Sequence, residues 1–305
     1  MMSIVIPLYN EAQNLEKLLQ ELDIILNKEG IDKEFILIDD GSQDDTWMII
    51  QQLANKGYPV KGLRFTRNFG KEAAIYAGLS KAEGNPVVVM DGDGQHPPSL
   101  IPQMLERWQK GSLIVEAFKK KRQPEPLWKR LCSELFYSLF RISTGLDLRT
   151  STDFKLLDKK IVRAYLSLPE RHRFFRGLIK WFGFPTEKVY FTPQSREKGF
   201  SSWSLKKLIL FAWNSLVSFT IWPLRLLLLI GVTGILGSLI LITQTLYYKL
   251  TGKALEGFST IIILQLLLGS SILLGLGIVG EYVARVYEET KQRPIYVILE
   301  YFKSI

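Results

Sequence analysis

The sequence has one cysteine, Cys132, and two histidines, His96 and His172. A lone cysteine excludes an intramolecular disulfide and suits a reducing compartment. Acidic residues are in deficit, 30 against 39 Lys and Arg in 305 residues, for a formal net charge of +9. An excess of that sign suits nucleic acid, an anionic membrane surface or anionic substrates. There is no internal repeat and no low-complexity tract. The opening "MMSIVIPLYN" has neither a basic n-region nor a cleavage site, so nothing in it is expected to send the N-terminal part across a membrane.

What is present is unevenly spread. Hydrophobic residues make up 47% of the chain, and their excess lies in the last third, so the sequence reads as two proteins joined. In the first part "SIVIPLYN", "EFILIDDGS", "VKGLRF" and "PVVVM" are short apolar strands. Between them, Leu15, Leu18, Leu19, Leu22, Ile25 and Leu26 recur at helical spacing, and further helices are expected near 44–56 and 73–81. Alternation of this kind predicts a doubly wound, parallel sheet, whose ligands sit beyond the carboxyl ends of the strands. Polar clusters fall at four such ends: Asn10 and Glu11, Asp39 and Asp40, Arg67 and Asn68, Asp91 and Asp93.

In the second part Leu226–Tyr248 and Phe258–Gly280 are about 23 residues each without a charge, long enough to span a bilayer as helices. The segment before them, with Lys206 and Lys207 on a narrow polar stripe and Trp203, Trp213 and Trp222 along it, fits a helix in the headgroup region. Basic residues flank the pair on the outside (Arg196, Lys198, Lys206, Lys207, Arg225; Arg285, Lys291, Arg293), against Lys249 and Lys253 in the link. Both termini are therefore expected in the cytoplasm. Gly231, Gly234, Ser238, Gly269 and Gly275 would let these helices pack closely, with each other or with another subunit. Residues 127–142 carry one apolar helical face; a helix on the sheet and a membrane-surface helix both fit it.

The most informative stretch is "VVVMDGDGQHPP", 87–98. On an extended backbone Asp91 and Asp93 would point the same way, and two close carboxylates need a cation or donor groups to neutralise them. Asp and Gln oxygens suit Mg²⁺ or Mn²⁺, which bind through one or two carboxylates plus substrate phosphates. A plain Asp-Gly turn is the competing reading, and the spacing of an EF-hand is absent. The second acidic pair, Asp39 and Asp40, suits hydrogen bonds from a base or a ribose, although Ser42 or Asp44 nearby also suits a helix cap. Arg67 offers a cation to a diphosphate. Together these residues describe a nucleoside-diphosphate site with a metal.

"IVIPLYNE", "LIDDGSQDDT", "RFTRNFGKEAAIYAG" and "VVVMDGDGQHPP", in this order and spacing, resemble glycosyltransferase family 2, inverting enzymes of GT-A fold. "TDFKLLDKKIV", "LPERHRFFRGLIKWFGF", "REKGFSSWSLKKL" and the close "VYEETKQRPIYVI" narrow the resemblance to the polyprenyl-phosphate glycosyltransferases, the bacterial bactoprenol glucosyltransferases above all. The resemblance implies a GT-A domain over 1–200, an interfacial helix over 201–222, transmembrane helices over 223–249 and 258–281, and a cytoplasmic tail over 282–305. It implies that Pro7, Tyr9, Glu11, Asp39, Asp40 and Asp91 surround the nucleotide, and that Asp93, with Asp91 and Gln95, holds Mg²⁺ or Mn²⁺. Asp153, with Asp93 and Arg67, would carry the chemistry. Lys119, Lys120, Lys121, Arg122 and Arg130 would hold the lipid phosphate, and Arg196 and Ser201 would lie on a donor loop. Two departures stand out: Ala117-Phe118-Lys119 where relatives often read Gly-x-Arg, and Ser202 where they often have lysine. A lysine at 119 offers a point charge and not a bidentate clamp.

The implied reaction is inverting transfer of a hexose, glucose from UDP-glucose first, to undecaprenyl phosphate at the cytoplasmic membrane, with the protein self-associating through its membrane helices. Mannose from GDP-mannose or an aminosugar are the alternative donors, and an inactive sugar-nucleotide or lipid-binding scaffold is the alternative of another class. A processive synthase would need further membrane helices and a QxxRW-like motif, which the sequence lacks. Nucleic acid is not an expected partner, because the basic charge lies beside the membrane helices and not on an aromatic platform. His96 is expected to serve loop structure and not to act as a base.

Overall fold

The structure, a computed structural model, describes residues 1–119, 138, 141–142, 145, 151–171, 173–191, 222–251 and 257–304. They form two units, 1–203 with 294–305, and 204–293.

The first unit is built on an eight-stranded mixed sheet: β1 (Met2–Leu8), β2 (Lys33–Asp39), β3 (Val60–Phe65), β4 (Val87–Val89), β5 (Ile114–Lys119), β6 (Lys155–Leu157), β7 (Thr186–Phe191) and β8 (Ile298–Lys303), in the order β7-β5-β6-β4-β1-β2-β3-β8. The four strands expected from the sequence pair in parallel, in the order β4-β1-β2-β3. β1 is buried on both faces, as a central parallel strand must be. Its even residues Met2, Ile4, Ile6 and Leu8 meet α1 (Ala12–Lys28), α2 (Thr46–Asn55) and α4 (Ile101–Gln109) in one core. On the other face α3 (Lys71–Lys81) lies so close that a methyl added at Gly78 would sit 2.3 Å from Val5 and 2.7 Å from Ile38. The α5 helix (Lys159–Ser167) packs against α3, and α6 (Phe175–Trp181) packs against α5.

Beyond β4 the sheet departs from the plain parallel pattern. β6 runs antiparallel to β4, pairing Val89 with Lys155, and also antiparallel to β5. A strand running the other way begins where its neighbour ends, so the residues just before β6 arrive at the carboxyl end of β4.

The far edge is closed by the end of the chain. The segment expected as a tail, 282–305, first continues a helix to Thr290 and then forms β8, antiparallel to β3. Glu300 accepts from Trp47 Nε1 at 3.0 Å and pairs with Arg64 Nη1 at 3.1 Å. The Phe302 ring covers Gly62, where an added Cβ would come within 2.5 Å of it. Phe302→Ala is expected to cost about 2 kcal/mol, less than a fully buried phenylalanine because the ring is half-buried. Thermal unfolding of the full chain in detergent measures this, and an unchanged midpoint would show that β8 is dispensable.

The second unit contains α7 (Trp222–Leu250) and α8 (Phe258–Thr290). Among the described residues one segment, Leu267–Thr290, is long and apolar enough to cross a membrane, with mean hydropathy 1.7; Leu229–Leu241 in α7 is a shorter apolar stretch. The hydroxyls of Thr233, Thr243, Thr251 and Ser271 return to carbonyls one turn back, which satisfies them inside apolar helices. Gly275 faces Leu227, 3.8 Å from an added Cβ, whereas a methyl at Gly231 or Gly269 would meet no described atom of the chain. The expected interfacial helix 201–222 lies outside the described residues apart from Trp222, which begins α7, as does the helix 127–142 apart from Ser138, Arg141 and Ile142.

Candidate active site

Three loops at the carboxyl ends of β1, β2 and β3 are tied together by short polar side chains. After β1, Asn10 takes a positive φ of 56°, its amide donates to Ser42 Oγ at 2.9 Å, and its side-chain oxygen accepts from the Gln43 amide at 2.9 Å. Asp44 accepts from the Ala12 and Thr46 amides. Ser42 therefore links two loops instead of capping α2. Asp39 is fully buried; one carboxylate oxygen accepts from the Ser42 amide at 2.8 Å, and the other lies 3.5 Å from Arg64 Nε.

Asp40, expected at the nucleoside, is 3% exposed and uses both oxygens on the β3–α3 loop, accepting from the amides of Phe69 (2.7 Å) and Gly70 (2.9 Å). Burial raises its carboxyl to about 6 against the pull of those amides. Gly41 is obligatory here: its φ is +69°, and a Cβ would lie 2.5 Å from the Arg67 backbone. The crossing presents Arg67 outward, with its guanidinium 4.4 Å over the Phe69 ring. Pro7 lies within β1, paired with Ile38; Tyr9 is 44% exposed at its end, and Glu11 accepts from Asn14.

The strand before the acidic pair stops at Val89, so Asp91 and Asp93 stand in a turn and not on the extended backbone that the sequence suggests. Asp93 accepts from the Gln95 amide at 3.1 Å, as a turn aspartate does. The buried His96 ring stacks on Phe154, and its Nδ1 accepts from the Asp91 amide at 3.2 Å, which fixes the turn.

Asp91 points into a cluster of charges. Lys71, at the start of α3, places Nζ 2.6 Å from Asp91 Oδ1 and 2.5 Å from Asp153 Oδ2. Arg176, at the start of α6, grips Asp153 with Nε and Nη2, each at 2.6 Å. Burial works to raise the Asp153 carboxyl, but Arg176 and Lys71 hold it well below the usual carboxylate range. Asp91 is held low in the same way, by Lys71 against burial. The Lys71 ammonium is pushed up, the two carboxylates outweighing its own desolvation.

Behind this cluster the segment before β6 is pinned by a second buried pair. Glu116 of β5 accepts from Ser151 Oγ (2.6 Å), the Thr152 amide (3.0 Å) and the Lys155 ammonium. Glu72, next to Lys71, accepts from the Phe175 amide at 2.8 Å and so joins α3 to α6. Burial lifts Glu72 to about 7, with Asp153 adding to the rise and the Phe175 amide, Lys71 and Arg176 opposing it. A carboxyl raised on folding holds more protons folded than unfolded between its ordinary value of 4.5 and 7, so its effect is to lower stability as pH climbs through that window. The melting temperature of Glu72→Gln relative to wild type is expected to rise from pH 4.5 to 7 and then level. Parallel curves would remove Glu72 from the cluster's electrostatics.

Lys71, Glu72 and Arg176 are not singled out by the sequence alone, although each lies in a stretch that carries the family resemblance. Among the described residues no three carboxylate, histidine or cysteine side chains form a ready-made metal cage. A divalent ion there would take much of its coordination from a ligand's phosphates, with Asp91, Asp93 and Gln95 offering hard oxygens from one turn. The residues fit that arrangement: Asp91 Oδ1 is buried and receives no aligned hydrogen bond, only the nearby Lys71 charge. Lys119 ends β5. Lys120, Lys121, Arg122, Arg130, Arg196 and Ser201, expected at the lipid phosphate and the donor loop, lie outside the described residues.

Residues 3–166, which hold every side chain of this cluster except Arg176, match the family model for glycosyl transferase family 2. The chain belongs to glycosyl transferase family 2. Within it, the chain is 39% identical over 302 residues to the putative glycosyltransferase CsbB of Bacillus subtilis, covering 98% of this chain and 92% of that protein. It is 35% identical over 301 residues to the bactoprenol glucosyl transferase of Shigella phage SfV, covering 97% of each. Among solved structures it resembles glucosyl-3-phosphoglycerate synthase from Mycobacterium tuberculosis in complex with Mn²⁺ and UDP-glucose, with TM-score 0.50 and 18% identity over 70% of this chain and 75% of that one. The last likeness is one of fold, and supports a GT-A-like α/β architecture with a mixed, largely parallel sheet.

Proposed function

We propose that this family 2 glycosyltransferase is a metal-dependent, inverting enzyme that moves glucose from UDP-glucose to undecaprenyl phosphate. One observation carries the reading: over 97% of its length, the two long apolar helices included, the chain is similar to proteins named bactoprenol glucosyl transferases.

The acceptor oxygen is a phosphate oxygen, largely ionised at neutral pH, so the nucleophile needs no strong general base. The difficulty is electrostatic, because an anionic lipid head must approach an anionic donor. Lys71, Arg176 and Arg67 bring positive charge to the strand ends, and Asp153 orients the first two. A divalent cation held by Asp91, Asp93 and Gln95 would neutralise the donor's diphosphate and help the leaving group depart. The acceptor oxygen forms its bond to the anomeric carbon as the bond to the diphosphate breaks; UDP leaves with the electron pair, and the configuration inverts. Asp39 and Asp40 serve the nucleotide end from behind, by holding the loops that carry Tyr9, Glu11 and Arg67. The 119–122 basic run and Arg130 are the residues assigned to the lipid phosphate, and Arg196 and Ser201 those assigned to the donor loop.

In this reading α7 and α8 both cross the cytoplasmic membrane, with the catalytic unit and both termini in the cytoplasm, and the helix faces at Gly231 and Gly269 meet a second copy. The test of the donor is a parallel assay of purified protein in lipid, with Mn²⁺, undecaprenyl phosphate and labelled UDP-glucose, UDP-galactose or GDP-mannose. Label should pass to lipid from UDP-glucose. Transfer from another donor alone would replace glucose with that sugar.

A further inference from the structure

We infer that Lys71 is a built-in counter-ion that occupies the place of the divalent cation when no donor is bound, and that releases Asp91 to the metal as the donor's diphosphate arrives. The inference rests on the metal and donor reading above.

Four features of the geometry point to it. The Lys71 ammonium bridges the carboxylate expected to bind metal and the one expected to carry the chemistry, at 2.6 Å and 2.5 Å. Its contact with Asp91, at 2.6 Å, is an ion pair between one flexible monovalent ammonium and one carboxylate oxygen, the kind of partner that a divalent ion can replace. Asp153 keeps a bidentate partner in Arg176 and stays paired if Lys71 leaves, whereas Asp91 forms its salt bridge with Lys71. Finally, Lys71 is a long side chain, 40% exposed, at the first position of a helix that follows a loop. It can swing without disturbing the core.

Physics then fixes the consequence. A monovalent ammonium and a divalent ion compete for one carboxylate, so metal alone binds weakly. A diphosphate offers the ammonium another partner and brings its own oxygens to the metal, so each ligand strengthens the other. Such coupling is reciprocal and usually ~5–150-fold. Lys71 thus makes the site bind metal and donor together, which keeps it from being filled by free metal.

The test is Mn²⁺ titration of the purified full-length protein by electron paramagnetic resonance, without and with UDP. Wild type should bind Mn²⁺ weakly alone and more tightly with UDP. Lys71→Met, close in length and uncharged, should bind Mn²⁺ alone at least ~10-fold more tightly and show a smaller gain from UDP, within the usual range of such couplings. Lys71→Arg, which keeps the charge, should stay near wild type in the absence of UDP. Equal or weaker Mn²⁺ affinity of Lys71→Met, in protein that melts as wild type does, overturns the inference. If Lys71→Met does not fold, Lys71→Arg and Lys71→Gln carry the same comparison, and equal affinity in those two overturns it. If wild type binds no Mn²⁺ even with UDP while Lys71→Met binds it tightly, a metal site exists but the donor does not free it, which overturns the inference and leaves the metal reading standing; no binding by either protein overturns both.

Discussion

Asp153→Asn is expected to lower sugar transfer by at least ~10²-fold, the scale of losing one preorganised electrostatic group, while the protein still folds and still binds UDP. The cause lies in burial and charge: Asp153 is 4% exposed and shared by two cations. A neutral amide of the same shape cannot hold both. Arg176 would lose the bidentate partner that fixes its head, and Lys71 and Arg176 would repel each other without their common counter-charge, which disorders the charges that the proposed mechanism places beside the donor and acceptor. Because Glu116 and Lys155 pin the backbone on either side independently of the Asp153 side chain, the substitution should act on charge geometry more than on the fold. Wild-type transfer by Asp153→Asn would mean that the cluster is a structural ion-pair network and not the reaction centre.

Asp93→Ala is expected to have a comparable effect, a fall of at least ~10²-fold in transfer, through a different cause. Asp93 turns its carboxylate to a turn amide and is only half-buried, so its removal should leave the melting temperature nearly unchanged. What it should remove is one of the hard oxygens offered to the divalent ion. The loss should therefore fall on turnover, with a higher Mn²⁺ concentration needed for half-maximal rate. A fall in rate with an unshifted Mn²⁺ dependence would place Asp93 outside the metal site.

Much of this site is legible along the chain because four strand ends each carry their polar residues within a few positions. Asp39, Asp40, Arg67, Asp91 and Asp93 can be found by inspecting the residues at the carboxyl end of each apolar run. Asp153's partners cannot be found that way. Lys71 is 82 positions from it and Arg176 is 23 away. They meet because β6 runs antiparallel beside β4 and starts where β4 ends, and periodicity in a single sequence does not report strand direction. The alternation that suggests Asp91 and Asp93 point the same way fails for a local reason: β4 ends at Val89, and Gly92 and Gly94 allow a turn. The edge strand β8 is hidden for another reason. It alternates half-buried and exposed residues over six positions, comes after a charged, proline-containing stretch, and pairs with a strand more than 230 residues earlier. Only tertiary pairing distinguishes it from a tail.

If the strand-end cluster transfers glucose to a lipid phosphate with the help of a divalent ion, the most direct measurement tracks labelled glucose from UDP-glucose. Wild-type protein is reconstituted with undecaprenyl phosphate and assayed before chelation, after chelation and with Mn²⁺ restored. Label is expected in the organic phase, lost with chelator and regained with metal. Label that stays with the nucleotide under all three conditions, in protein that binds UDP, would contradict that chemistry.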